Sequence, residues 1–200
     1  MKVETILDQI DLGAIALPEF QRGFVWNRDQ VRALMASLYR RHPAGSLLVW
    51  VTEKDTATMR GGPKGAEGTV DLLLDGQQRM TTLYGIIRGR APEFFDGDPA
   101  VFTGLHFHLE DEVFEFYAPA KMAGNPLWVN VTELMRESAG AAIVRLLQSG
   151  VASERAPTYA TRLNAVDGGP RPVKWCTTTT TSSTTLSWLQ PAQASPPSAR

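Results

Sequence analysis

The sequence predicts a mixed α/β (α+β) fold with a small sheet and flanking helices. Three observations carry that prediction. Ser46–Val51 and Val70–Leu74 are short apolar runs bounded by Pro/Gly or Gly punctuation, the pattern of buried strands. Val31, Leu34, Met35 and Leu38, and again Met80, Leu83, Tyr84 and Ile87, recur at i, i+3, i+4 and i+7, the stripe of a helix lying on a core. Phe102–Leu109 and Val113–Tyr117 alternate around Glu110-Asp111-Glu112, as the arms of an antiparallel hairpin do.

In chain order, residues 2–10 form a short helix. Ile15–Pro18 is extended, because the residue before a proline is pushed out of the α region. Glu19–Trp26 is a loop in which aromatics alternate with polar residues, and Asn27 caps the helix that follows. Pro43 stops that helix, and Arg40-Arg41-His42 suit its C-terminal end, where they need no ligand. Residues 54–68, rich in glycine, read as a surface loop. Gly89 closes the second long helix. Trp128–Val131 is a short strand, after which Thr132 caps one helix carrying Met135, Ala139, Ala142, Ile143, Leu146 and Leu147.

Two hundred residues with 43% hydrophobic side chains suffice for one domain with a core. The net charge of −1 excludes a histone-like basic protein but not a local basic groove. The charge is unevenly spread. Residues 1–167 hold 17 basic and all 21 acidic side chains, a balance of −4, and the last 33 residues carry +3. That end contains a threonine–serine run and then Pro, Ala and Ser, too little apolar surface to offset the entropy of ordering. A folded body over 1–166 and a low-complexity, unstructured 167–200 is the expected organisation. Cys176, the single cysteine, excludes an internal disulfide and a thiolate zinc site. Neither a signal peptide nor an apolar run of membrane-spanning length is visible, so a cytoplasmic location with no membrane partner is expected.

The most informative stretch is the strand–Asp75-Gly76-Gln77-Gln78-Arg79–helix junction. A strand that ends in a glycine turn and opens a helix aims backbone N–H groups outward at the positive end of the helix dipole. Gly76 allows close approach to the backbone. Arg79 lies in the first turn, where a cation is unfavourable unless it has an anionic partner, and Thr81 and Thr82 add hydroxyls. Two readings remain: a phosphate site, or a structural turn with Arg79 paired to Asp75. A G-x-x-x-x-G-K-[ST] loop and a G-x-G-x-x-G turn are both missing, which excludes P-loop and Rossmann nucleotide binding. Arg22, among aromatics in Gln21–Trp26, suits phosphate or base contacts, and the aromatics themselves suit anchoring in the core. His106 and His108 share a strand face opposite Leu105, Phe107 and Leu109, and read as exposed rather than as a metal pair. Glu110-Asp111-Glu112 reads as a solvated turn.

Leu17–Trp26, the helix from Gln30-Val31, Pro43–Ser46 before a strand, and Leu74–Leu83 with Asp-Gly-Gln-Gln-Arg follow one another in order. The series resembles the N-terminal domain of the GmrSD-type modification-dependent restriction endonucleases, most closely over residues 10–90. The resemblance implies a ParB/sulfiredoxin-like fold and a role in bacterial defence against phage and foreign DNA. It implies nucleoside triphosphate hydrolysis coupled to recognition of modified or foreign DNA. Arg79 and the N–H groups after Gly76 would then hold phosphates. Asp75 would bind Mg²⁺ or orient the attacking water, and Gln77 and Gln78 would position nucleotide or water. Gln21 and Arg22 would line the same cleft, with Thr81 and Thr82 close by. Cleavage would belong to an HNH-type nuclease region or subunit outside this sequence. Because the text changes character after Asp167, the expectation is a truncated domain followed by non-native sequence. The rivals are a non-catalytic DNA-binding or regulatory module and an inactive fragment.

Overall fold

The computed structural model describes residues 3–19, 21–53, 59–60 and 68–167. Helix α1 spans Val3–Asp11 and buries Val3, Ile6, Leu7 and Ile10, spaced as one helical face requires. Strand β1, Ile15–Pro18, is buried along its whole length. Helix α2 runs Arg28–Tyr39 and begins with a capping box: the Asn27 side chain accepts from the Gln30 N–H while the Gln30 side chain accepts from the Asn27 N–H. Strands β2 (Leu48–Glu53), β3 (Met59–Arg60) and β4 (Thr69–Asp75) follow, then helix α3, Gln77–Arg88.

These strands form a mixed four-stranded sheet in the order β2-β4-β1-β3. Its centre is the parallel pair β1/β4, with Ile15 opposite Asp71 and Ala16 opposite Leu72. β2 adds antiparallel to β4 and β3 antiparallel to β1. β3 lies inside the 54–68 stretch that reads as loop: glycine density says where the chain can turn, whereas pairing depends on the free edge of β1. Residues 54–58 and 61–67 of that loop lie outside the described residues.

A second, antiparallel sheet has the order β6-β5-β7, from β5 (Leu105–His108), β6 (Val113–Phe116) and β7 (Trp128–Asn130). The expected hairpin forms with Phe107 opposite Phe114. The short helix α4, Pro119–Met122, lies between β6 and β7. Where one helix capped by Thr132 is expected, two are found, α5 (Val131–Glu137) and α6 (Ala139–Gln148). Asn130 is the cap of α5, accepting from the Glu133 N–H at 3.1 Å, and the Thr132 hydroxyl donates to the Ile86 carbonyl at 2.8 Å. The break falls at Ser138, whose φ of +81° no helix accommodates.

Helix α7, Ala156–Asp167, is an element for which the sequence reading names no pattern, although Tyr159, Leu163 and Val166 bury one face of it. Asp167, assigned to the tail on composition, is its last residue and accepts from the Ala139 N–H that opens α6 at 3.1 Å. Beyond Asp167 the chain, Cys176 included, lies outside the described residues.

The Glu110–Glu112 turn is solvent-exposed, as its composition suggests, and it is also where α7 is fastened. Arg162 donates to the Leu109 and Glu110 carbonyls and pairs with Glu112 at 2.7 Å. Tyr159 donates to Glu110 at 2.9 Å and Tyr39, from α2, to Glu112 at 2.6 Å. Burial and the Glu112 contact hold the Tyr39 phenol well above its ordinary pKa. His108, expected to be exposed, is buried and lies 2.9 Å from Asp111, because its strand face is covered by Trp128 of β7.

Asp71, on the central strand β4, is half-buried, and that burial raises its carboxyl pKa. A raised folded-state pKa favours the protonated form, so its contribution to stability is present at low pH and is lost as pH rises through that value. The expected result is that Asp71→Asn has a higher thermal midpoint than wild type at pH 7, with the gain shrinking on acidification. Equal midpoints at pH 7 would refute this.

Candidate functional site

The sheet delivers its C-terminal β4 residue, Asp75, to the start of α3, and two loops close around that junction. Gly76 occupies the N-cap position with φ +94° and offers no side-chain cap to the first turn of α3. A side chain there would be strained and would also collide with Leu47, whose Cδ2 lies 2.0 Å from where a Cβ would stand. Glycine at 76 is thus demanded by the backbone and by packing.

Arg79 holds one of the loops. Its guanidinium donates to the Ala44 carbonyl at 2.6 Å, to the Ser46 carbonyl at 2.7 Å and to the Asp75 carboxylate at 3.1 Å. Gly45 (φ +88°) lies against that guanidinium so closely that a Cβ would stand 2.4 Å from Nη1. The cation in an unfavourable first-turn position therefore has both an anionic partner and two carbonyl dipoles. The pair with Asp75 adds little by itself, since the carboxylate is largely exposed; the carbonyl bonds do the positioning.

Gln78 holds the other loop. Its Oε1 accepts from the Val25 N–H at 2.9 Å and the Trp26 N–H at 3.3 Å, while its Nε2 donates to the Gly23 carbonyl at 3.2 Å. Gln21 completes the tie by donating from Nε2 to the Leu74 carbonyl at 2.8 Å. The loop is also anchored through Phe24, whose ring centroid is 5.5 Å from that of Phe95 and 6.1 Å from that of Phe102. Three amide and guanidinium side chains thus join two loops more than thirty and fifty residues away to one helical turn.

Gln21, Asp75, Gly76, Gln78 and Arg79 converge on the β4–α3 junction: Arg79 pairs with Asp75, Gln21 bonds the Leu74 carbonyl, and Gln78 bonds the loop that carries Gln21. Gln77 is buried. Thr81 and Thr82 are buried too, and their hydroxyls find no hydrogen-bond partner among the described residues. A ligand at the surface of the turn would meet other groups first. Arg22 is exposed on the tied loop, and Asp75 is the exposed carboxylate at the junction. The sequence reading missed Ala44, Gly45 and Ser46 as part of the site. Pro43-Ala44-Gly45-Ser46 stands out in the sequence as a helix stop and as part of the family series, but not as a set of acceptors, because carbonyl oxygens leave no trace in side-chain chemistry.

Mg²⁺ commonly uses one or two protein carboxylates and completes its shell with phosphate and water oxygens. Asp75 fits that sparse role. Among the described residues no three His, Cys, Asp or Glu groups are placed to hold a metal ion by themselves, and His106 and His108 form no such centre. No helix among the described residues is long and apolar enough to cross a membrane.

An uncharacterised protein of Methanocaldococcus jannaschii is 33% identical over 113 residues, covering 50% of this chain and 20% of the relative. The chain therefore spans about a fifth of the length of that relative. The family model described as the GmrSD restriction endonuclease N-terminal domain matches residues 3–164, which takes in both sheets, the Asp75–Arg79 turn and most of α7. With most of its length accounted for by that model, the chain belongs to the GmrSD restriction endonuclease N-terminal domain family.

Proposed function

We propose that this chain is the nucleotide-binding, NTPase-type sensor domain of a restriction-type defence protein acting on modified or foreign DNA, with a ParB-like fold and with cleavage assigned to an HNH-type region or subunit elsewhere. The observation that carries the reading is the turn itself. An uncapped helix start sits beside an exposed Asp75, and a loop bearing an exposed Arg22 is tied to the same turn by Gln21 and Gln78. The N–H groups after Gly76 and Arg22 would hold phosphates, Asp75 would take Mg²⁺ or orient water, and Thr81, Thr82 and Gln77 would support the turn from beneath. Gln78 and Arg79 would act by positioning, since their polar groups are already committed to the protein.

That commitment favours a second reading, a non-catalytic DNA-binding or regulatory module, in which the Asp-Gly-Gln-Gln-Arg string is a keystone of the fold. Nucleotide turnover in the presence of Mg²⁺ separates the two. Asp75→Asn is expected to lower turnover about a hundredfold, the scale of losing a metal-bound or water-orienting group, and Arg22→Ala to weaken nucleotide binding about tenfold with an unchanged thermal midpoint. Turnover indifferent to both substitutions would overturn the nucleotide site. Absent turnover alongside salt-dependent DNA binding would establish the module.

A further inference from the structure

Nearly every described Arg or Lys whose side-chain surroundings are defined is engaged. Arg28 donates to the Ala100 carbonyl and Arg136 to the Arg88 carbonyl, and Arg32, Arg79, Arg88, Arg90, Lys121, Arg145, Arg155 and Arg162 pair with carboxylates. Among the described residues Arg22, Arg40 and Arg41 stand apart: they are exposed and make no ion pair or side-chain hydrogen bond, and neither does the adjacent His42. Arg40-Arg41-His42 form the knuckle that leads from α2 into the loop held by Arg79 through Ala44 and Ser46.

The helix dipole favours cations at this end, but no side chain of the knuckle is needed as a cap. The Arg40 N–H donates to the Ala36 carbonyl, the Arg41 N–H to Leu38 at 3.0 Å and the His42 N–H to Ser37 at 2.8 Å, so the backbone alone satisfies the helix end. The arrangement is a Schellman-type close, whose left-handed position normally belongs to glycine. Here Arg41 occupies it, with φ +60°. A bulky cation is held in a backbone conformation that glycine would adopt without strain, and its side chain is engaged by no other described residue. Strain at an exposed, unengaged cation beside a second free guanidinium, that of Arg40, points outward, to an anion supplied by a partner.

We propose that the Arg40-Arg41-His42 knuckle is a docking surface for the phosphate backbone of duplex DNA. Guanidinium groups match phosphate oxygens in a forked geometry, and adjacent cations on one turn suit consecutive phosphates. Polybasic membrane contacts use clusters of four to eight Lys or Arg, more than this knuckle holds. The surface rests on the reading of this chain as part of a DNA-directed protein, and it does not depend on nucleotide turnover at Asp75.

The test is binding of a labelled duplex of arbitrary sequence to the full chain over a range of salt. Wild type is expected to bind with a log–log salt slope steeper by roughly 2 than that of the Arg40→Ala/Arg41→Gly double variant, about one unit for each phosphate that the variant no longer neutralises. Affinity at moderate salt is expected to fall about tenfold. Arg41→Gly alone is expected to weaken binding while its thermal midpoint stays at or above that of wild type, since glycine relieves the strain; this separates a binding role from a structural one. An unchanged slope in the double variant, or no DNA binding by wild type at low salt, would overturn the proposal. So would tighter binding of anionic lipid vesicles than of DNA through the same residues. Nucleotide turnover of the double variant equal to that of wild type shows a DNA defect independent of the Asp75 site, whereas loss of both together with a lowered thermal midpoint would overturn the proposal, because the DNA defect would then belong to the fold.

Discussion

Replacing Arg79 with alanine is expected to cost about 2–4 kcal/mol of stability, the scale of removing two charge-assisted hydrogen bonds and leaving their acceptors without a donor. The guanidinium donates to the Ala44 and Ser46 carbonyls while sitting against Gly45, and its side chain is only 18% exposed. Removing it leaves a gap beneath the loop, and water that enters restores only part of the hydrogen bonding. Arg79→Lys should rescue little, because one ammonium cannot reach two carbonyls and a carboxylate with the geometry of a planar fork. Denaturant titration of wild type and both variants reads this directly. A loss under about 1 kcal/mol for alanine would show that the loop is held by something else. Because Arg79 supports the fold, loss of turnover in its alanine variant would say little about phosphate binding, whereas Asp75→Asn and Arg22→Ala leave that scaffold in place.

The other large effect is expected at Phe102, whose truncation to alanine should cost about 3–5 kcal/mol. Phe102 is fully buried, its ring centroid is 5.2 Å from that of Phe95 and 6.1 Å from that of Phe24, and it packs on Gly85 of α3 so tightly that a Cβ there would lie 2.3 Å from its ring. The cavity opened by alanine lies against α3 and against the Phe24 anchor of the Gln21–Trp26 loop. Stability should therefore fall, and the Gln21–Trp26 loop should lose its anchor at the same time. Phe102→Leu, closer in volume, should cost about 1–2 kcal/mol and keep the loop seated. A Phe102→Ala protein with stability within about 1 kcal/mol of wild type would contradict the packing.

The aromatics of the Gln21–Trp26 loop show how one string of residues supports two readings. Phe24 and Trp26 are partly buried against the core, the anchoring role, while Arg22 stays exposed beside them. The Asp75–Arg79 turn likewise combines readings set against each other, since Arg79 pairs with Asp75 and also spans to a distant loop.

Periodicity was enough to find α2, α3 and the β5–β6 hairpin, because each buries one face and the spacing of apolar residues reports that face without reference to any partner, while β4 showed as a short apolar run bounded by glycine. The same local chemistry identified Gly76, Asn27 as a cap, and the Gly89 stop. What the chain could not show locally was anything settled by a partner far along it. β3 exists because β1 has a free edge, α5 and α6 part at Ser138 where Asp167 supplies a cap from α7, and Glu110 and Glu112 are claimed by Arg162, Tyr159 and Tyr39. The site follows the same division. Its residue types were legible in one strand–turn–helix, whereas which side chains are spent holding loops and which face outward depends on carbonyl oxygens more than thirty residues away. Hydrophobic patterning is a property of a segment; hydrogen-bond satisfaction is a property of the folded whole, and it is the latter that leaves Arg22, Arg40 and Arg41 unengaged among the described residues and Arg79 committed to the protein.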